Sequence, residues 1–373
     1  KDRRLDYLAD AAKWAADATH KAGEYQDWAG PDYRRLRNIL KLGGFSDRVA
    51  AEVLEGFIFW SAPEVVPTAR TDAGGAEKTV EVYEVTGFKA EPRAQSGREA
   101  PAGNWITIPA GKFVMGSRED DTGSYDDERP QHTFEIRYDY RIARFPVTNA
   151  DFRTFADAAH YKTTAETQGS SRILNRQSGS WGDMEGADWR HPQGPESSLD
   201  GLDQHPVVHI SWHDARVYCE WLTKALRQKA EIGAAEIVRL PTEAEWEKAA
   251  RGEYGKVYPW GDEWDPARCN STEKGPRTTT PVGQYSPQGD SPYGVADMAG
   301  NVWEWCQSKF KPYEYTPGDG REELTGDDRR VLRGGSFYSN RRRVRCASRL
   351  NPNPGGRFDT YGFRVVVVSP GSG

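Results

Sequence analysis

The chain has 373 residues, 28% charged and 36% hydrophobic, enough to bury one large core and leave room for a smaller second domain. No apolar run approaches the roughly 18 to 20 residues that cross a bilayer, and a net charge of -6 gives the whole chain no drive toward nucleic acid. It reads as soluble; it opens on Lys1 and not on Met, which leaves a removed signal peptide and the compartment open, cytoplasm or surface display.

From Leu5 to Ala16, Leu5, Leu8, Ala12, Ala15 and Ala16 recur at helical spacing, and Val49, Val53, Leu54, Phe57 and Ile58 follow a candidate cap at Ser46. The alternation from Thr79 to Phe88 predicts a strand paired with residues near Val65 and Val66 across the turn at 72–75. Residues 1–88 therefore read as a small helical domain with a short hairpin, and the polar, Pro- and Gly-bearing stretch 89–104 as a linker. From 105 to 373 the chain alternates short strand-like runs, WITIPAGKFVMGS and PVVHISW among them, with two helices. One covers 211–230, with Trp212, Ala215, Val217, Cys219, Trp221 and Leu222 as its apolar face. The other covers 242–251, where Thr242 and Glu245 have the spacing of a capping box.

Thirteen Trp, 38 Gly and 23 Pro point to a loop-rich fold held by aromatic anchors, with Trp221, Trp246, Trp260, Trp303 and Trp305 read as core. The four cysteines, Cys219, Cys269, Cys306 and Cys346, lack the paired spacing of a zinc or dithiol site and read as buried thiols. His205, His209 and His213 fall four apart, but Pro206 interrupts any helix between the first two, so they do not read as a metal site. No G-x-S-x-G elbow and no phosphate-cradling glycine loop occurs.

In order along the chain, IPAGKFVMGS (108–117), ERPQHTFEI (128–136), FPVTNADF (145–152), HPVVHISWHDARVYCEWL (205–222), RLPTEAEWEKAARG (239–252), YPWGDEW (258–264), MAGNVWEW (298–305), RVLRGGSF (330–337) and YGFRVV (361–366) resemble the formylglycine-generating-enzyme family. The resemblance implies an α+β, C-type lectin fold of the sulfatase-modifying-factor type over roughly 105–370. It also implies a structural calcium, whose positions map to Asp297, Gly300, Val302 and Glu304. The family's catalysts oxidise a substrate cysteine with a copper-binding C-x4-C pair shortly after GGS. Here those positions hold Ser339 and Val344, and hydroxyl or alkyl groups do not hold Cu(I) as thiolates do. A related branch holds non-haem iron with a histidine-rich helical domain, and the N-terminal region offers only His20.

The segment 337–361 contains no Lys, Glu, Gln, Met or Trp, although those five types supply 70 of the 373 residues. Adenine-directed mutation of AAC codons cannot produce any of the five. The frame RVLRGGSF to YGFRVV also resembles the C-terminal end of variable proteins of diversity-generating retroelements. On that resemblance the ligand-binding residues are Phe337, Tyr338, Ser339, Asn340, Arg341, Arg343, Ser348, Leu350, Asn353, Gly356, Phe358, Asp359, Thr360 and Tyr361, while Arg345, Ala347, Arg349 and Arg357 belong to the scaffold. Tyr, Ser, Asn, Gly and Arg suit a binding surface. The expectation is a non-catalytic display protein with a protein or other macromolecular ligand, no catalytic cofactor and no nucleic-acid partner, despite the arginines crowding 329–349. The alternative is a copper-dependent formylglycine-generating oxidase relative or another enzyme of the same fold. Oligomeric state and ligand identity stay open.

Overall fold

The computed structural model describes residues 104–175 and 180–369, together with a short antiparallel pairing of β1 (Pro67–Thr68) with β2 (Val82–Tyr83). The chain divides into two compact units, Lys1–Ser96 and Gly97–Gly373. The pairing Pro67↔Tyr83 and Thr68↔Val82 lies just beyond the Val65–Val66 partner expected from sequence. The helices expected within 5–16 and behind Ser46 lie outside the described residues.

In the second unit, alternating apolar residues give β3 (Trp105–Ile108), β4 (Gly111–Met115), β5 (His132–Ile136) and β6 (Tyr140–Ala143). β4 and β5 form a hairpin, and β3 runs antiparallel to β6. Two helices follow that periodicity had not singled out, α1 (Asn149–Ala159) and α2 (Thr164–Gln168). Each opens with a capping box, Thr148 with Asp151 and Thr163 with Glu166, and α1 buries Phe152, Phe155 and Ala156. A second unanticipated hairpin joins β7 (Ser170–Asn175) to β8 (Ser180–Glu185).

The run PVVHISW is not a strand. Pro206 makes one isolated bridge to Thr148, and His209 sits at φ 62, a left-handed backbone that breaks extension and turns the chain into α3 (Trp212–Gln228). α3 is capped by Ser211 and Asp214, and its buried face adds Tyr218 and Leu226 to the expected residues, while Val217 and Trp221 are half-buried. β9 (Ile237–Arg239) leads to α4 (Glu243–Arg251), whose Thr242–Glu245 capping box forms as the spacing predicts.

The remaining strands are β10 (Trp303–Lys309), β11 (Arg330–Arg333), β12 (Arg349–Leu350), β13 (Tyr361–Gly362) and β14 (Val366–Val368). They complete two four-stranded sheets, β12-β11-β10-β13 and β3-β6-β14-β9, with β10 and β13 parallel. One core packs α1 and α3 around Trp189, Trp212, Trp305 and Phe363; the other gathers Phe113, Trp246, Met298 and Val366. Trp246, Trp303 and Trp305 are buried anchors, whereas Trp221 and Trp260 are half-buried.

Every residue of α4 is buried, Glu243, Glu245, Glu247, Lys248 and Arg251 included. Buried charge requires partners: Arg239 pairs with Glu245, Lys248 donates to Pro109 O and Gly111 O, and the Arg-rich C-terminal segment supplies the partners of Glu243 and Glu247. Arg333 Nη2 donates to Glu247 at 2.6 Å and lies 2.9 Å from Glu243, and Arg349 binds Glu243 through Nε and Nη2 at 2.5 and 3.0 Å. Arg251 Nη1 donates to Glu247 at 2.7 Å, and Arg345 makes a bidentate pair with buried Glu128 at 2.6 and 2.7 Å. Burial raises the Glu247 carboxyl, but the Arg333 and Arg251 guanidiniums outweigh it and hold it below the usual range.

Candidate functional site

After β11 the chain turns at Gly334 and Gly335. Gly335 has φ 75, and a Cβ there would lie 2.7 Å from Val344 Cγ1, so no other residue fits this turn without displacement. The turn delivers 336–343 to the outer face, where Ser339 O accepts from Thr272 N and Arg341 N donates to Glu273 at 2.8 Å. The segment 351–360 reaches the same face by pairing with the outer side of β7: Arg172 N donates to Arg357 O, Asp359 N to Arg172 O, and Leu174 N to the Asp359 carboxylate at 3.3 Å.

This meeting creates an aromatic cluster. Trp181 of β8 packs edge-on against Phe358 at 5.1 Å and Tyr338 at 6.5 Å, Phe358 lies 4.4 Å from Tyr361, and the Arg172 guanidinium stands 5.2 Å over the Phe358 ring. His209 braces it from beneath. Its backbone N–H donates to Phe358 O, and its ring bonds Ser171 Oγ at 2.7 Å and Pro192 O at 3.0 Å. Complete burial pushes the imidazole down to about 4, so it is neutral at physiological pH. Arg172, Trp181, Ser171 and Glu273 escaped the sequence reading because they come from the unanticipated hairpin and a distant loop.

The expected site residues divide by exposure. Asn340, Arg341 and Asn353 are exposed, and Tyr338, Arg343, Leu350, Gly356 and Phe358 are half-buried. Phe337, Ser339, Ser348, Asp359, Thr360 and Tyr361 are buried, Ser348 and Thr360 almost completely. Arg343 lies 4.0 Å over the Tyr125 ring, and Arg342 shares that ring at 4.7 Å. The expected scaffold residues Arg345, Ala347 and Arg349 are buried, and Arg357 donates to Ser170 O at 2.8 Å.

The family's paired-thiolate copper does not fit these residues. Ser339 Oγ accepts from Ser336 N at 3.0 Å, and Val344 is fully buried. All four cysteines are free thiols and buried; burial pushes Cys269 and Cys346 up to about 12 and raises Cys219 and Cys306 as well. Thiols in that state are neither nucleophiles nor ligands. The three histidines have separate surroundings: His205 bonds Thr279 Oγ1 at 2.8 Å, His209 lies under Phe358, and His213 is exposed beside Trp212.

The implied calcium positions lie at the turn before β10. Gly300 has φ 76, and a Cβ there would meet Asn270 O at 2.1 Å. Glu304 accepts from Arg364 at 2.6 and 2.7 Å and from Trp246 Nε1 at 2.7 Å. Asp297 accepts from Gly283 N at 2.6 Å; burial, with Glu304 and Asp290 nearby, raises its carboxyl to about 6. Val302 is buried beside them.

The chain matches the sulfatase-modifying factor enzyme 1-like domain over residues 90–368. It is 37% identical to a formylglycine-generating enzyme of Streptomyces coelicolor over 316 residues, 75% of this chain and 92% of that one. It is 35% identical to the inactive C-alpha-formylglycine-generating enzyme 2 of Bos taurus, covering 70% of this chain and 87% of that one. The solved structure of PvdO from Pseudomonas aeruginosa superposes with a TM-score of 0.54 at 27% identity, over 70% of this chain and 93% of that one.

These likenesses correct the expectation of a non-catalytic display protein. Relatives named as enzymes match through nearly their whole length, alongside one named inactive, so the chain's kinship is with a family of enzymes and their inactive relatives. The missing cysteine pair removes one ligand set, and with it one chemistry, while leaving the scaffold in place. The α+β, C-type lectin fold inferred from the ordered motifs is the fold of the chain. The chain belongs to the sulfatase-modifying factor enzyme 1-like family, the family of the formylglycine-generating enzymes.

Proposed function

We propose that this chain is an enzyme of the formylglycine-generating fold that binds a thiol-bearing polypeptide across the outer face and transforms it without a paired-thiolate copper centre. The observation that carries the reading is the 37% identity spread over 92% of the Streptomyces coelicolor enzyme. Trp181, Tyr338 and Phe358 supply rigid ring contact at low entropic cost, and Asn340, Arg341 and Asn353 supply adaptable hydrogen bonds around them. Ser339 Oγ takes the Ser336 N–H and lies 3.4 Å from Ser336 Oγ, with either hydroxyl able to donate.

The test is intact-mass spectrometry of a synthetic cysteine peptide incubated with the full chain in air, with and without copper and a copper chelator. A mass change that the chelator leaves within about twofold, and that the Tyr338→Ala, Phe358→Ala pair slows about tenfold, supports the reading. An unchanged peptide in every condition, or turnover that appears only with copper, overturns it.

Kinship with retroelement variable proteins rests on the residue alphabet of 337–361; it concerns the origin of this loop and not a display role. Calcium is part of the same proposal as a structural ion. Asp297, with the backbone at Gly300 and Val302, would hold it, while Glu304, whose oxygens already accept from Arg364 and Trp246, would add charge without a direct bond; the ion would offset the burial that raises the Asp297 carboxyl. Added calcium is expected to raise the melting temperature more at pH 7 than at pH 5, an effect that Asp297→Asn removes.

A further inference from the structure

Outward from Tyr338 the outer face changes from aromatic to cationic. The loops 271–278 and 339–343 meet there, joined by Thr272 N donating to Ser339 O and Arg341 N donating to Glu273 Oε1 at 2.8 Å. Between them they carry five cations, Lys274, Arg277, Arg341, Arg342 and Arg343, against the single carboxylate of Glu273, in a chain whose net charge is -6. Glu273 is already occupied within the loops, since its other oxygen accepts from Ser271 Oγ at 3.0 Å.

The cations fall into two sets. Arg342 and Arg343 are fixed, 4.7 and 4.0 Å over the Tyr125 ring, and Arg342 donates to Gly123 O and Ser124 O. Lys274, Arg277 and Arg341 are exposed, and their side chains form no ion pair and no hydrogen bond among the described residues. Like charges gathered in this way repel one another, and an anionic partner relieves the repulsion. At the other end of the face, beside Trp181, the charges balance, with Arg172 standing 3.9 Å from Asp183.

We propose that the cationic end recognises an acidic segment of the bound polypeptide, with aspartate or glutamate residues lying next to the one that the Trp181, Tyr338 and Phe358 rings hold. The inference rests on the reading of this face as a polypeptide site. Guanidiniums match carboxylates with two parallel N–H groups, so Arg341 suits an aspartate or glutamate side chain. A short acidic segment fits better than a nucleic acid, because the positive charge is confined to one end of the face and a chain acidic overall repels a long polyanion.

The experiment is a fluorescence-anisotropy titration of the full chain with three labelled peptides that share an aromatic core and differ only in flanks of aspartate, asparagine or lysine. Serine stands in the peptide where the cysteine would be, so binding is read without turnover. At about 50 mM salt the aspartate peptide is expected to bind about tenfold tighter than the asparagine peptide and the lysine peptide weakest, with the preference falling to about twofold or less near 0.5 M salt. The Lys274→Ala, Arg277→Ala, Arg341→Ala variant, changed only at exposed positions, is expected to lose the preference and keep its melting temperature. Equal binding of the asparagine peptide, a preference that survives in the variant, no binding of any peptide, or tighter binding of a single-stranded oligonucleotide overturns the proposal. A preference for aspartate without turnover of the matching cysteine peptide would sustain it while refuting the activity, and turnover indifferent to the flanks would do the reverse.

Discussion

Arg333 and Arg341 lie eight residues apart in one basic run, and the fold treats them in opposite ways. Arg333 is wholly buried between Glu243 and Glu247 of α4, together with Arg349, while Arg341 is exposed and is held through its backbone, its N–H by Glu273 and its carbonyl by Tyr258. A helix that carries carboxylates into the core needs guanidiniums to follow it, and those it does not need remain on the surface. The same residue type thus builds the floor of the site in one place and its rim in the other.

Removing a buried partner has the largest expected effect. Glu243→Ala leaves Arg333 and Arg349 without a shared carboxylate and is expected to cost about 3–5 kcal/mol in chemical unfolding, where Arg341→Ala costs almost nothing. His209, under Phe358, joins floor and rim. Its folded value of about 4 lies below the unfolded value near 6.5, so the unfolded chain binds the extra proton between these limits. Stability is therefore complete above about pH 6.5 and falls by up to about 3 kcal/mol as the pH drops to 4, a slope that His209→Asn should flatten in unfolding measured across that range.

Gly335→Ala tests the turn between the two regions. A left-handed backbone and a 2.7 Å contact with Val344 predict a loss of about 1–3 kcal/mol by thermal unfolding. The smallest effects belong to the rim: Asn340→Ala, Arg341→Ala and Asn353→Ala should each stay within about 0.5 kcal/mol in stability while weakening the cysteine peptide. A rim substitution as costly as Glu243→Ala would show that the division between floor and rim is drawn in the wrong place.

The sequence announced the elements whose signals are local. α3 and α4 carry helical apolar spacing and capping residues, and the ordered motifs located the lectin-like unit. α1 and α2 were missed because their apolar faces are short, three buried residues or fewer in sequence clusters that also read as loop. PVVHISW misled because its β-branched Val207, Val208 and Ile210 read like a buried strand, while the left-handed backbone at His209 has no signature in composition. At the site, the segment 337–361 stood out by its alphabet and frame, which single out residues and not their role. Trp181, Arg172 and His209 did not, since they reach the same face only through β7 pairing with 357–359. The buried pairing of Arg333 and Arg349 with α4 was equally hidden, because a charged helix reads as solvent-facing until its partners, more than 80 residues away, are placed.

An outer face that acts without paired thiolates leaves Cu(I) unbound, and competition against a chromophoric chelator is the measurement that decides it. The structure predicts that the full, folded chain leaves the copper with the chelator, because Ser339 and Val344 stand at the ligand positions and all four thiols are buried. Stoichiometric withdrawal of Cu(I) by the native chain would contradict it.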